Sequence, residues 1–161
     1  MAQHEPRLTL ALRSLLQSQR VAALGTIGND GVPLVSMVPF AIAPEHGCIV
    51  IHVSGLAAHT GNLQKSPIVS LLVMQAEVAG EPVHALPRVT LEARAEVLDV
   101  ETPVWLACRT AYLLRFPEVE PMTALGDFRF VALRIGGARQ VAGFGAARTV
   151  SAEEVGLVLA G

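Results

Sequence analysis

The chain has 161 residues, a formal net charge of −2 and a pI of about 6.2, and it has no run of Lys or Arg. With only 4% aromatic residues it offers neither a basic stripe nor a base-stacking platform, which argues against nucleic acid as a partner. Its apolar runs are of strand length and its N-terminus lacks a signal-peptide pattern, so we expect a cytoplasmic protein with one domain over residues 1–161 and no membrane contact.

The chain is apolar for its size, with 52% hydrophobic and 16% charged residues. Small domains have much surface for their volume, so this excess favours a partner subunit, although an Ala- and Val-rich genome gives the same composition. Cys48 and Cys108 belong to no metal-ligand pattern and are expected as small buried side chains. His52 and His59 lack the Asp, Glu or Cys neighbours that would complete a ligand set, so no metal site is predicted.

The first half of the chain predicts one helix followed by a meander of strands. Leu8, Leu12, Leu15 and Leu16 repeat with helical spacing and give one apolar face. Three strand candidates follow, at residues 21–27, 32–43 and 48–54. The turns between them are short, which implies antiparallel pairing.

The second half alternates strands and helices. A short helix is expected around residues 59–64 and a strand at 68–74, and residues 75–87 form a loop. Further strands are predicted at residues 88–100, 127–135 and 138–144, the last two joined by a turn at Gly136-Gly137. Thr102-Pro103 starts a helix that ends near residue 116, and the capping-box spacing from Ser151 to Glu154 starts a terminal helix.

These elements predict an α+β fold that is mainly β. Six to seven strands, largely antiparallel and joined by tight turns, favour an antiparallel β-barrel with flanking helices packed outside it. Alternating βαβ units are lacking in the sequence pattern, which disfavours a doubly wound dinucleotide fold.

Polar residues cluster directly after the third strand candidate. Ser54, His59, Thr60 and Asn62 lie between an apolar strand and a predicted helix start, and glycines among them let the backbone approach a ligand. Such donors at a helix N-terminus favour an anion site, for which a phosphate monoester is the natural ligand. The alternative is helix capping, in which the hydroxyl groups satisfy free backbone N–H groups.

Five segments in series resemble a known family. They are residues 33–40, 54–63, 86–91, 125–128 and 143–145. In order and spacing they are similar to the pyridoxamine 5'-phosphate oxidase-like, FMN-binding split β-barrel superfamily, and specifically to its haem-utilisation (HugZ-like) branch, without the extra C-terminal domain of that branch's haem-degrading members.

The resemblance implies a homodimer that binds FMN in a groove between the two barrels. The cofactor-binding residues that it implies are Ser36, Met37, Val38, Val53, Ser54, His59, Thr60, Asn62, Leu63, Arg88 and Phe144. Residues 36–38 would line the isoalloxazine ring, the polar residues of segment 54–63 would hold the phosphate or ribityl chain, Arg88 would add positive charge, and Phe144 would come from the partner subunit.

The functional expectation is therefore an FMN-dependent oxidoreductase, or a flavin-binding protein, that acts on a small molecule. No catalytic side chain is identified, and Ser36 has no Asp or His partner within sequence reach, which disfavours a nucleophilic serine. The alternative is a non-catalytic binding module of the same fold that carries haem, F420 or another phosphate-bearing ligand. A third possibility is a structural homodimer that has no ligand.

Overall fold

The structure is a computed structural model, which describes residues 5–161. The helices are α1 (Arg7–Ser18), α2 (Ala58–Lys65), α3 (Pro103–Arg115) and α4 (Ala152–Leu159). The strands are β1 (Val21–Ile27), β2 (Pro33–Pro39), β3 (Ala41–Ala43), β4 (Cys48–Ser54), β5 (Ile68–Met74), β6 (Arg88–Val97), β7 (Phe128–Val141) and β8 (Ala147–Ser151). Short 3₁₀ helices occupy Pro44–His46 and Pro117–Ala124.

The strands form one antiparallel sheet that curls back on itself. Their order is β2-β1-β5-β6-β7-β4-β3, with β8 added to β7. The two ends of this order, β2 and β3, follow each other in the chain and are separated only by Phe40, whose N–H donates to the carbonyl of Arg20 at 3.1 Å. The predicted split β-barrel with flanking helices is confirmed. The predicted single strand at residues 32–43 is wrong, because the chain bends at Phe40 where it passes between the sheet ends.

The interior of the barrel is filled by the inward side chains, which alternate with outward ones along each strand. On β6 the inward side chains of Val89, Leu91, Ala93 and Ala95 are buried. Helix α1 adds Leu12, Leu15 and Leu16 to the same cluster, and α4 adds Val155, Val158 and Leu159. This burial is what holds the helices against the barrel.

The predicted turn at Gly136-Gly137 is wrong, because β7 runs through it. In the pairing with β6, Glu92 lies opposite Gly137 and Ala93 opposite Ile135, so Gly136 is the extra residue of a β-bulge. The chain turns instead at Gly143 and Gly145, which have φ of 132° and 70°, a region that favours glycine. It then returns as β8, which the sequence interpretation missed.

A second core lies outside the barrel, between α3 and strands β3, β4 and β7. Its members include Val50, Phe130, Tyr112 and the two cysteines. The sulfur atoms of Cys48 and Cys108 lie 4.0 Å apart and both residues are fully buried, as predicted for small core side chains. The neighbouring thiol and burial raise the pKa of Cys108, which keeps it protonated.

The predicted helix starts are confirmed by their capping hydrogen bonds. The Thr102 side chain accepts from the N–H of Trp105 at 3.3 Å, and the Ser151 side chain accepts from the N–H of Glu154 at 3.1 Å. None of the helices in residues 5–161 is long and apolar enough to cross a membrane.

Candidate functional site

The predicted polar cluster assembles where β4 ends and α2 begins. The Thr60 hydroxyl donates to the carbonyl of Ser54 at 2.5 Å, and the Ser54 hydroxyl accepts from the N–H of Leu56 at 3.2 Å and donates to Asp127 at 3.3 Å. A side chain at Gly55 would lie 2.9 Å from the carbonyl oxygen of Asp127, so this turn requires glycine. The hydroxyl groups of the cluster therefore already have partners within the chain.

Helix α2 also brings His59 to Ser36, so the expectation that Ser36 lacks a histidine partner is wrong. The Ser36 Oγ lies 2.9 Å from His59 Nδ1. The other ring nitrogen, Nε2, is buried without a hydrogen-bond partner, and burial lowers the pKa of this histidine. The two residues are 23 positions apart in the sequence, so local sequence patterns do not reveal this contact.

Three further residues of segment 53–63, Val53, Asn62 and Leu63, contact the barrel interior. Asn62 donates to the Thr26 hydroxyl at 3.1 Å, and Thr26 is 1% exposed. Val53 and Leu63 belong to the interior core. The segment has no Lys or Arg. Of its hydroxyl groups only that of Ser54 accepts a backbone N–H, from Leu56, and α2 itself begins without a side-chain cap, so the capping alternative applies to Ser54 alone.

The other predicted cofactor residues lie apart from this cluster. Val38 is buried in the barrel core, whereas Met37 is 66% exposed on the outer surface of β2. Arg88 donates to the carbonyls of His84 and Leu86 at 3.3 and 2.9 Å. Phe144 is 81% exposed in the turn between β7 and β8.

One outer face of the sheet is apolar and uncovered. We call it the bare face: the outward residues of β2, β1 and β5, namely Val35, Met37, Val21, Ala23, Ile68, Leu72 and Met74. Met37, Ala23 and Leu72 form one row across the three strands. A cavity of about 450 Å³ opens in this face, and it is lined mainly by these apolar side chains.

A second cavity, which we call the aromatic cavity, lies between the β4–β7 pair and α3. It has a volume of about 570 Å³ and is lined in part by His52, Trp105, Phe128, Arg129 and Phe130. The ring centroid of His52 lies 4.4 Å from that of Phe130 and 5.0 Å from that of Phe128. Burial lowers the pKa of His52 to about 4, so the ring is neutral at pH 7.

The sequence interpretation weighed His52 only as a metal ligand and missed this cavity. A signal was present: His52 follows Ile51 on an apolar strand whose inward residues alternate with it. The His52 ring lies at an outward position of β4, opposite Phe130 on β7. A polar ring there indicates where α3 ceases to cover the strand. Within residues 5–161 no group of three or more His, Cys, Asp or Glu side chains is placed to hold a metal ion.

Comparison with known proteins decides the family. The sequence profile of the family described as pyridoxamine 5'-phosphate oxidase matches residues 8–142. The chain belongs to this family. The resemblance to the wider superfamily and to its haem-utilisation branch is likewise confirmed by the relatives.

Two curated relatives of this family member are haem oxygenases by name. Heme oxygenase HutZ of Vibrio cholerae is 28% identical over 92% of this chain and 84% of its own length. The chloroplastic non-canonical heme oxygenase HOZ of Arabidopsis thaliana is 31% identical over 88% of this chain, but the chain spans only 42% of HOZ.

A solved structure shares the fold closely. A heme binding protein from Mycobacterium smegmatis superposes with a TM-score of 0.85 at 26% identity, over 96% of this chain and 62% of that protein. The structure of HutZ gives a TM-score of 0.72 at 26% identity, over 80% of this chain and 89% of that protein.

Proposed function

We propose that this protein is a haem-binding member of the pyridoxamine 5'-phosphate oxidase family. The observation that carries the proposal is that HutZ, which aligns with nearly the whole chain, and the similar Mycobacterium smegmatis structure are both named for haem. Of the two expectations from the sequence, these relatives support the haem-carrying binding module better than the FMN-dependent oxidoreductase.

The residues of the chain fit haem. A porphyrin requires apolar walls, its iron requires an axial ligand, and its propionates are favoured by a cation. The aromatic cavity offers Trp105, Phe128 and Phe130 as walls and the neutral imidazole of His52, and its polar lining holds Asp99 as well as the guanidinium of Arg129. Haem would supply iron redox chemistry there, while these side chains bind it, orient it and exclude water.

FMN fits the polar cluster less well. A phosphate dianion needs free, fixed donors or cations, whereas Ser54, Thr60 and Asn62 already form hydrogen bonds within the chain. FMN at the subunit interface is kept as a second candidate because the structure does bring Ser36 and His59 into this cluster. Under that candidate, a Thr60→Ala, Asn62→Ala double variant should lose FMN affinity and remain folded.

We also propose that two copies pair through the bare face. Val35 and Met37 on β2 are 69 and 66% exposed, and Ile68 on β5 is 58% exposed; these two strands flank β1 in the sheet. Contiguous apolar surface of this kind is typical of subunit interfaces, in which a stable pair buries roughly 1,600 Å² in total. A second copy would remove these side chains from water.

Haemin titration of the purified full chain tests the proposal. We expect a saturable Soret band with one haem per chain and a rise in melting temperature, because a ligand that binds only the native state stabilises it. Addition of a reductant in air then separates the two haem functions: a stable Soret band indicates storage or transport, and its bleaching indicates haem degradation.

FMN is titrated in parallel under the same conditions. If FMN saturates the protein and haemin binds only weakly and without a defined stoichiometry, the haem proposal is wrong and the flavin candidate replaces it. If neither ligand raises the melting temperature, the third possibility, a structural homodimer, is favoured.

A further inference from the structure

We propose that Cys48 and Cys108 are an oxidative modification site, at which a peroxide converts the two thiols into a reversible disulfide that ties α3 to β4. Both cysteines are free and belong to the second core, on the face of the sheet that α3 covers. Their oxidation goes beyond the proposed haem function and does not depend on which ligand the protein binds.

The two sulfur atoms are already in contact. Cys48 begins β4 and Cys108 lies in α3, 60 positions further along the chain, and their sulfur atoms are 4.0 Å apart. A disulfide has a sulfur–sulfur bond of about 2.05 Å, so each sulfur has to move by roughly 1 Å. A partial rotation about each Cα–Cβ bond provides movement of this size.

The side chains around the pair are small. Ala43 lies opposite Cys48 in the pairing of β3 with β4. Ala41 and Ala132 belong to the same core, and all three alanines are at most 2% exposed. Short side chains allow a helix to pack closely on a sheet, so α3 and β4 come near enough for the two cysteine side chains to touch.

The two thiols differ in acidity. The hydrogen bond from the Cys108 thiol lowers the pKa of Cys48, and burial opposes this effect. Arg134, whose Nη1 donates to the carbonyl of His46 at 3.1 Å, lowers that pKa further. Glu96 pairs with Arg134 at 3.3 Å and weakens its effect. Cys48 is therefore the thiol that ionises more readily, and the thiolate is the form that reacts with peroxide.

A cavity leads toward the pair. It has a volume of about 560 Å³, and its lining includes residues of α3 and of the 3₁₀ helix at Pro44–His46, together with Ala43. Ala43 pairs with Cys48, and Ala107, which also lines the cavity, precedes Cys108 in α3. The cavity thus brings a small oxidant such as hydrogen peroxide to residues that adjoin both buried cysteines.

The proposed reaction consumes one hydrogen peroxide and two thiols. The Cys48 sulfur attacks one peroxide oxygen, the O–O bond breaks, and the departing hydroxide leaves as water with the Cys48 proton. The Cys108 sulfur then attacks the sulfur of the Cys48 sulfenic acid, so that the S–S bond forms and the S–O bond breaks. The second hydroxide takes the Cys108 proton and also leaves as water, and a dithiol reductant reverses the reaction.

The disulfide constrains the covered face. It joins two residues that are 60 positions apart, and a bridge over a long segment restricts the unfolded chain. The oxidised protein should therefore melt at a higher temperature and exchange the amide hydrogens of α3 more slowly. Disulfides inside cells are usually transient, so the bridge would report exposure to peroxide rather than persist.

The test is oxidation of the native full chain with hydrogen peroxide. The chain has two cysteines, so intact mass and thiol counting in denaturant follow this pair alone. We expect wild type to lose both thiols and the mass of two hydrogen atoms per chain, without covalent dimers on a non-reducing gel. The melting temperature should rise by roughly 5–15 °C, and dithiothreitol should reverse all of these changes.

The variants Cys48→Ala and Cys108→Ala are the matched controls, because each leaves one thiol in the same core. With peroxide, Cys108→Ala should accumulate a sulfenic acid at Cys48, which dimedone labels, whereas Cys48→Ala should keep Cys108 reduced. Neither variant should gain in melting temperature. Equal labelling of the two variants would overturn the assignment of Cys48 as the thiol that peroxide oxidises.

Wild type unfolded in urea gives the comparison that decides the proposal. Both thiols are exposed in that state and should oxidise at the same peroxide concentration. If the native protein keeps both thiols while the unfolded chain loses them, or if it gains oxygen or forms dimers instead of the internal bridge, the pair is an inert part of the core. Such a result would leave the haem proposal in place, since haemin titration tests that separately.

Discussion

The two outer faces of this barrel are both lined by apolar strand residues, but only one of them is covered by a helix. On the bare face, outward residues such as Val35 and Met37 remain more than 60% exposed. On the face formed by β3, β4 and β7, the outward residues Cys48, Val50 and Phe130 are at most 2% exposed because α3 packs over them. Of these two apolar outward faces, one is covered by a helix of the same chain and the other is left uncovered by residues 5–161.

The burial of residues along β4 also shows where α3 stops covering this face. Along β4, burial is complete at Cys48 and Val50 and falls to half-buried at His52. The aromatic cavity opens at this point, beside Trp105 of α3. The proposed pairing uses the face without a helix, whereas the aromatic cavity lies at the edge of the face that has one.

The largest expected effect comes from a charge on the bare face. Met37→Asp should convert a homodimer into a monomer, because burial of an unpaired carboxylate costs several kcal/mol. Sedimentation equilibrium or size-exclusion chromatography with light scattering at micromolar concentration measures the mass.

Leu114→Asp is the matched control, since Leu114 is 81% exposed on α3, outside the bare face. It should leave the mass unchanged. A wild-type protein that is already monomeric at micromolar concentration would show that the bare face is not a dimer interface.

The next effect in size tests the helix-covered face. Phe130→Ala removes a ring that is 2% exposed and contacts Trp105, Tyr112 and His52. We expect a loss of about 3–5 kcal/mol in the free energy of unfolding, from lost burial and the cavity that is left. Urea denaturation measures it, and the emission of Trp105, the single tryptophan, should shift to the red.

Phe144→Ala serves as the control for the same chemical change, because Phe144 is 81% exposed. It should change the free energy of unfolding by less than about 0.5 kcal/mol. Equal losses for the two variants would mean that α3 does not rely on this aromatic cluster.

Much of the fold could be predicted because its signals are local. The alternation of Val89, Leu91 and Ala93 against Thr90 and Glu92 defines β6 and its inward face. Thr102 and Ser151 mark helix starts through hydrogen bonds to residues three positions further on. Signals of this kind lie within a few consecutive residues, so they can be recognised in a single sequence.

The errors concern features set by distant residues. Gly136-Gly137 resembles a turn, yet β6 pairs with both sides of it and turns Gly136 into a bulge. Ser36 and His59 meet only because α2 closes the barrel end. The aromatic cavity requires β4, β7 and α3 together, and no spacing in the sequence reports how far α3 extends over β4.

A smaller effect concerns pH and the half-buried imidazole of His52 on the covered face. The folded-state pKa of His52 is about 4, below the ordinary 6.5, so the unfolded state binds the proton more tightly in this window. The stability that neutral His52 contributes is fully present above pH 6.5 and is lost as the pH falls toward 4. Between pH 7 and pH 5 we expect wild type to lose about 1–2 kcal/mol more than His52→Phe.

Urea denaturation of both proteins at the two pH values gives this difference. His59, whose pKa is also lowered by burial, is present in both proteins, so its contribution cancels. A pH dependence that is the same in wild type and His52→Phe would show that His52 is solvated in the folded protein and would remove the contrast with the bare face.

The smallest effect distinguishes a structural cluster from a ligand site at the end of the barrel. Ser36→Ala removes the 2.9 Å contact with His59 and should cost about 1 kcal/mol in the free energy of unfolding. A double-mutant cycle with His59→Ala should show a coupling of similar size, since each single variant already removes the contact. If the two losses simply add, the contact does not stabilise the protein. Ser36 and His59 would then be free to bind a ligand such as FMN, and the bare face next to them would be the site to examine.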